Sequence, residues 1–257
     1  MDSRGVTVAI PNWNHELLLA RSISSALAAC RILRSEGIAA ETLVIDDCSR
    51  DGSLTLLRQL EALYYKEGLR VLARTTNGGL AAARNLALEQ ARHRYIVFMD
   101  ADNELLPETM PLFHRALVDT GAAMAYGNLI VSQVTSGNPC GILNNEAFQH
   151  RMFQGNYIDA FVMVDRLQLL DANCFSSSIP ALEDYEMWLH LACNGRRLIF
   201  VPLVFGYYYL MPNSMIVQED NKKSQARVKR VFDQAGVRAY LPLPSLNLRY
   251  HPATGYV

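Results

Sequence analysis

Through its first half the chain alternates short apolar runs with stretches of helical periodicity, and that order constrains the fold more than any other feature. VTVAI (6 to 10), ETLVID (41 to 46), LRVLA (69 to 73) and YIVFM (95 to 99) read as buried strands. Between the first two, residues 15 to 35 set Leu19, Ile23, Ala26, Leu27, Cys30 and Leu33 on one helical face. A second helix turns Leu56, Leu60 and Leu63 inward, and an alanine-rich helix spans about 79 to 92. Uniformly apolar strands are covered on both faces, and strand-helix alternation with right-handed crossovers builds a parallel, doubly wound α/β sheet. Further on, the pattern predicts a helix over 107 to 120, strand over 122 to 134, a short strand near 157 to 163 and a helix over 181 to 194. Strands in RLIFV and VFGYYYL follow, then a helix over 218 to 235 and a proline-rich tail. The polar, aperiodic segment 135 to 156 reads as a mobile loop over the site.

Composition narrows the function classes. A chain of 257 residues, 50% hydrophobic and 19% charged, can bury a full core. A net charge of -1 with no basic cluster lacks the electrostatic footprint of a nucleic-acid binder, so no nucleic acid is expected as partner. The 5 cysteines show no CxxC pairing, which argues against a disulfide framework or zinc site and favours reduced thiols in the cytoplasm. The longest apolar run, Leu198 to Met211, is too short to span a bilayer and is broken by Pro202 and Gly206. Membrane contact is therefore expected to be peripheral, at the inner face.

In open α/β sheets ligands bind beyond the carboxyl ends of the strands, and four motifs of this chain lie there. YIVFMDADNELLP (95 to 107) ends its strand in Asp100 and Asp102. Alternate residues of an extended segment point the same way, so both carboxylates can offer hard oxygens to Mg²⁺ or Mn²⁺ while substrate phosphates complete the shell. Capping of the next helix is the competing explanation. The first strand ends in IPNWN, carrying Pro11 and Trp13, whose indole either stacks on a base or staples the following helix. In IDDCSRDGS (45 to 53), Asp46 and Asp47 point to opposite sides: one supports the backbone, the other accepts hydrogen bonds from a base or ribose. Ser49 or Asp51 as helix N-cap accounts for much of that cluster. In NGGLAAARN (77 to 85), Asn77, Gly78 and Gly79 permit close backbone approach at a helix start, and Arg84 counters phosphate or locks the loop.

Taken in this order, each at a strand end, IPNWN, VIDDCSRDGS, NGGLAAARN and FMDADN resemble the motifs of a family 2 glycosyltransferase. The similarity continues through IPALEDYEMWLHLACNGRRLIFVP (179 to 202), which is similar to the family's Glu-Asp block. The resemblance implies a GT-A fold over residues 1 to 215, a nucleotide-sugar half to about 105 and an acceptor half from about 106, with the C-terminal helix and tail over 216 to 257. It implies inverting, metal-dependent transfer from a nucleotide-diphosphate sugar, a UDP-sugar in first place, to a glycan or lipid-linked acceptor of the cell surface. Trp13 takes the family's aromatic position, Asp47 the nucleoside-reading carboxylate, Asp100 and Asp102 the DxD with Asp102 as direct metal ligand, and Asp184, beside Glu183, the general base. Without the resemblance, Asp184 is explained by the preference of acids for a helix N-terminus.

Departures from the family pattern are local. Met211 stands where the family often carries a diphosphate-contacting His or Arg, leaving Arg84, Arg74 or Lys222 to compensate, and NCFSSSI (173 to 179) replaces the usual Gly-x-Phe-Asp-Glu. A non-catalytic GT-A binding module is the alternative these departures suggest. A receiver-like phosphoacceptor domain fails on length and on the order of its acids.

Overall fold

The computed structural model describes residues 4–133, 138–148, 152, 155–172, 174–176 and 182–211, with 226, 230, 250–251 and 255–256 beyond them. Four strands form as the apolar runs predict: β1 (Val6–Asn12), β2 (Ala40–Asp46), β3 (Leu69–Ala73) and β4 (Tyr95–Phe98). They lie in the order β3-β2-β1-β4, all parallel. Every residue of β1 is buried because its alternate side chains enter two separate cores. Val8 and Ile10 join the layer of α1 (Glu16–Ser35), α2 (Ser53–Tyr64) and α4 (Met110–Thr120), whereas Ala9 joins the layer of α3 (Gly79–Gln90) and α6 (Glu183–Cys193).

Helix α1 buries the stripe the sequence marks, from Leu19 to Leu33. In α2 the stripe is rotated: Ser53 and Leu57 are buried, Leu56 and Leu60 only partly, and Leu63 is 69% exposed. Tyr64 rather than Leu63 completes the packed face, since it lies two turns beyond Leu57 on the same side of the helix. α4 starts at Met110 after a 3-10 turn over Pro107–Thr109.

Past β4 the mostly parallel sheet takes in antiparallel strands and becomes mixed. β8 (Met163–Asp165) is antiparallel to both β4 and β6 (Met124–Gln133), β9 (Leu198–Leu210) is parallel to β6, and β5 (Glu104–Leu105) closes the far edge antiparallel to β9. The strand expected near 157 to 163 begins only at Met163, because local bonds hold the preceding backbone in turns: Phe161 N–H to Asp159 Oδ1 (2.8 Å) and Val162 N–H to the Ala160 carbonyl (2.9 Å). RLIFV and VFGYYYL are one strand, β9. Pro202 is accommodated where its register against β6 slips beside Asn128. Gly206 lets β5 lie on β9, since a Cβ there would stand 2.4 Å from the Glu104 carbonyl oxygen.

The segment expected as a loop, 135 to 156, contains β7 (Pro139–Leu143), paired antiparallel to β6. Its described remainder is docked: Met152 is fully buried, and its carbonyl accepts from the Tyr185 hydroxyl at 2.8 Å. A short α5 (Arg166–Asp171), capped by Asp165, was not evident from periodicity. Of the helix expected over 218 to 235 only Ala226 and Arg230 are described, both helical, and the rest lies outside the described residues. Among the described residues no helix is long and apolar enough to cross a membrane.

Candidate active site at the carboxyl ends of the strands

The loops after β1 and β2 are laced together. Asp46 accepts from Asn12 Nδ2 (2.8 Å), the Ser49 hydroxyl (2.6 Å) and the Ser49 N–H (3.1 Å), so it is the backbone-supporting member of the aspartate pair. The Asp47 N–H bonds the Asn12 carbonyl at 2.8 Å, placing Asp47 next to Trp13. Trp13 is 46% exposed. Pro11 is buried in β1 opposite Ile45.

Asp47 does not project free. Its carboxylate pairs with Arg74 and accepts from the N–H groups of Gly78 (3.1 Å) and Gly79 (2.7 Å), where α3 begins. Gly79 takes left-handed backbone there, with φ at 80°, which favours glycine, while a Cβ on Gly78 would meet only the flexible end of Arg74. Asn77, exposed, accepts the Gly79 N–H at 3.2 Å. Arg74 is thus committed to Asp47, and Lys222, the other substitute named for the phosphate contact, lies outside the described residues.

Asp100 and Asp102 come together for a different reason than strand alternation. The strand ends at Phe98, and the Asn103 N–H closes a turn onto the Asp100 carbonyl at 3.0 Å. Burial first, and then the charge of Asp100, push the Asp102 carboxyl up to about 7. The turn is clamped by residues that sequence reasoning missed. Arg21 donates to the Asp102 carbonyl (2.7 Å), pairs with Glu104 (3.0 Å) and stacks on the Tyr209 ring (3.9 Å). Tyr209 in turn donates its hydroxyl to Glu104 (2.8 Å) and its N–H to Asn103 Oδ1 (3.1 Å).

Arg84 is 2% exposed and bridges two acids, Asp100 at 2.9 Å and Glu183. The guanidinium therefore locks the loop, the second of the two roles its position allows, and the flanking carboxylates hold its proton more firmly than usual. Through it the Asp-Ala-Asp turn is tied to the first turn of α6, where Asp184 sits. Asp184 accepts from the Tyr185 N–H (2.7 Å) and from Asn156 Nδ2 (3.3 Å). Burial, then the charges of Glu183 and Asp159, push its carboxyl up to about 7, with Arg84 opposing. Asp159 is pushed to about 7 as well, by burial and then by Asp100. Asn156 and Asp159 also went unmarked in the sequence reading; the one available signal was an aspartate just before the apolar run AFVMV.

Asp100, Asp102, Arg84, Glu183 and Asp184 thus converge beyond the end of β4, while Trp13, Asp47, Asn77 and Gly78 occupy the adjoining loops of β1, β2 and α3. An acidic end near a carboxyl of raised pKa, with an exposed aromatic on the parallel-sheet side, suits transfer of a group carried on a nucleotide diphosphate.

The sequence model of Glycosyl transferase family 2 matches residues 7–164, and the chain belongs to that family. The glucosyltransferase WfgD of Escherichia coli, UDP-Glc:alpha-D-GlcNAc-diphosphoundecaprenol beta-1,3-glucosyltransferase, is 27% identical over 238 residues, covering 92% of this chain and 87% of the relative. A poly(ribitol-phosphate) beta-glucosyltransferase of Bacillus spizizenii is 26% identical over 221 residues, which cover 80% of this chain but 32% of that protein. Among solved structures, S. aureus TarS 1–349 in complex with UDP-GlcNAc superposes with a TM-score of 0.72 at 20% identity, over 93% of this chain and 68% of that one. The mannosyltransferase PcManGT of Pyrobaculum calidifontis, in complex with GDP-Man and Mn²⁺, gives 0.67 at 18% identity, over 93% and 66%. The fold is GT-A, as the motifs implied.

Proposed function

We propose that this glycosyltransferase moves a sugar, with inversion, from a nucleotide-diphosphate donor to a hydroxyl of a cell-surface glycan or lipid-linked acceptor, with Asp184 as the base. The single observation that carries this reading is the placement of Asp184: a carboxyl with a pKa near neutrality, in the first turn of α6, fixed to the Asp-Ala-Asp turn through Glu183 and Arg84. A base works best when its pKa lies near the working pH. WfgD supports a UDP-sugar as donor and a diphosphoundecaprenol-linked acceptor, by its name and its coverage of this chain.

In this reading Trp13 stacks on the base of the nucleotide, and the Asp47, Asn77 and Gly78 loop borders the nucleoside. The remaining oxygen of Asp100 and the carboxylate of Asp102 form a pair of hard-oxygen donors at a strand end. They fit a cation such as Mg²⁺ or Mn²⁺, which takes one or two carboxylates and fills its other positions with phosphate and water. When bound, such an ion neutralises the charge that grows on the leaving diphosphate. Arg21 and Tyr209 hold the turn so that Asp102 faces the diphosphate, and Arg84 holds Asp100. Asp184 takes the proton of the attacking hydroxyl as its bond to the anomeric carbon forms on the face opposite the departing phosphate, and one such displacement inverts the centre.

Asp184→Asn retains size and the Tyr185 contact but cannot take the proton, so turnover is expected to fall by about 10² to 10⁴ with nucleotide affinity unchanged. In the wild type kcat/KM should rise with pH through about 7, because the base acts only when deprotonated. Near-normal turnover in Asp184→Asn, with a small loss of melting temperature, would instead make Asp184 a helix-terminus acid.

A further inference from the structure

The described residues hold one more carboxylate at this site that the mechanism leaves without work. Asp159 belongs to the stretch that joins the two ends of the reaction centre. The Val162 carbonyl accepts from the Phe98 N–H at 3.1 Å, at the close of β4, and Asn156 donates to Asp184 at 3.3 Å. The Ile158 carbonyl accepts the Trp188 indole N–H at 3.2 Å, which fastens the same stretch to α6. Residues between these anchors run from the Asp-Ala-Asp turn to the base, and the charges of Asp100, Arg84, Asp102 and Asp184 act on Asp159 or are acted on by it.

The side chain is held with one oxygen to spare. Oδ1 accepts the Phe161 N–H at 2.8 Å, and the Asp159 N–H is fixed by Asn144 Oδ1 at 2.8 Å. Asn144 is itself 2% exposed, in left-handed backbone, and its Nδ2 has no hydrogen-bond partner among the described residues. A buried amide donor without a partner is costly, by about 1 to 3 kcal/mol. The same amide holds the Asp159 backbone through its Oδ1, so a hydroxyl group seated there, donor and acceptor at once, can accept from Nδ2 and donate to the Asp159 carboxylate.

In-line displacement sets the anomeric carbon between the leaving phosphate and the base, so the ring of the transferred sugar lies between Asp100/Asp102 and Asp184. We propose that Asp159, positioned by Asn144, hydrogen-bonds a ring hydroxyl of the transferred sugar and so selects which donor sugar is accepted. This rests on the proposed placement of the diphosphate and of the base, and goes beyond it in assigning the sugar-reading residue. A carboxylate at that position discriminates strongly, because a donor lacking the hydroxyl, or bearing it on the other face, leaves a charged acceptor and an amide donor unsatisfied.

Calorimetry in Mn²⁺ tests this by comparing UDP with UDP-glucose, UDP-galactose and UDP-N-acetylglucosamine, and GDP with GDP-mannose, on wild type, Asp159→Asn and Asp159→Ala. Asp159→Asn keeps the Oδ1 acceptor for the Phe161 N–H and so preserves the turn. The expected result is that wild type binds one sugar nucleotide more tightly than its parent diphosphate. Both variants then hold the parent diphosphate as before and lose roughly tenfold or more in affinity for the sugar nucleotide. The proposal is overturned if both variants keep the wild-type affinity for the sugar nucleotide, if they lose the parent diphosphate equally, or if wild type gains nothing from any of the sugars. If wild type binds none of these nucleotides at all, it is the glycosyl-donor reading of the site that fails.

Discussion

Arg84→Met tests whether a buried cation is what allows carboxylates to crowd beyond the end of β4. Methionine fills most of the volume of the arginine stem but leaves Glu183, 7% exposed at its side chain, and Asp100 without their shared counter-charge. Removing one partner of a buried ion pair costs about 3 to 5 kcal/mol, because the other charge stays buried and uncompensated. For a protein of this size that corresponds to a fall in melting temperature of about 6 to 20 °C. The loss should depend on pH in a definite direction. Without Arg84, whose charge opposes the rise, the folded-state pKa of Asp184 climbs still further above its unfolded value. A group raised in this way leaves stability intact below its unfolded pKa and removes it as pH climbs through the folded pKa. The deficit of the variant relative to wild type should therefore be smaller near pH 5 than near pH 8, since it grows only as pH passes the wild-type value of about 7, and a second change, Glu183→Gln, should recover part of it at pH 8. Scanning calorimetry of the three proteins at both pH values measures this. A deficit under about 1 kcal/mol, or one equal at both pH values, would refute the argument that Arg84 neutralises the site.

Two further outcomes bear on the donor side. Trp188 is fully buried in the core and Trp13 is 46% exposed, so nucleotide stacking should change intrinsic fluorescence in Trp188→Phe and leave it unchanged in Trp13→Phe; the opposite pattern removes Trp13 from the nucleotide site. Asp102→Ala should leave the melting temperature near or above that of wild type, since the residue is a strained-up acid at a turn, while abolishing transfer and the dependence of nucleotide affinity on Mn²⁺. Full activity in that variant, or in EDTA, would contradict the metal-holding role.

What the sequence made legible is whatever one stretch of chain decides alone. The four parallel strands follow from runs such as VTVAI that are apolar on both faces, and the α1 stripe from the spacing of Leu19, Ile23, Ala26, Cys30 and Leu33. Asp100 and Asp102 were found by the abrupt end of such a run, though the turn at Asn103, not strand pleat, brings them together. Features set by distant contacts were not readable. Arg21 looks like an ordinary solvent-facing charge on α1 until Glu104 and Tyr209 arrive beside it from β5 and β9. Leu63 and Tyr64 differ by one position around a helix, and only the packing of α2 on the sheet decides between them. Asp159 sits in a stretch with no periodicity, placed by bonds to Asn144 and to α6 that no local pattern announces.

The sheet carries one more implication. Its backbone ladder runs unbroken from β3 through β4, β8, β6 and β9 to β5, so the turn bearing Asp102 is stitched by Glu104 and Leu105 to the edge opposite the one where the nucleoside loops begin. An enzyme of two separately folded lobes admits its substrates by swinging one lobe away from the other. Among the described residues the ladder offers no seam at which to swing: such a rotation would tear main-chain bonds between neighbouring strands, each contributing about 0.5 to 1.5 kcal/mol. The site floor, reaching from Trp13 to Tyr209, is thereby carried on one sheet and behaves as a fixed bench.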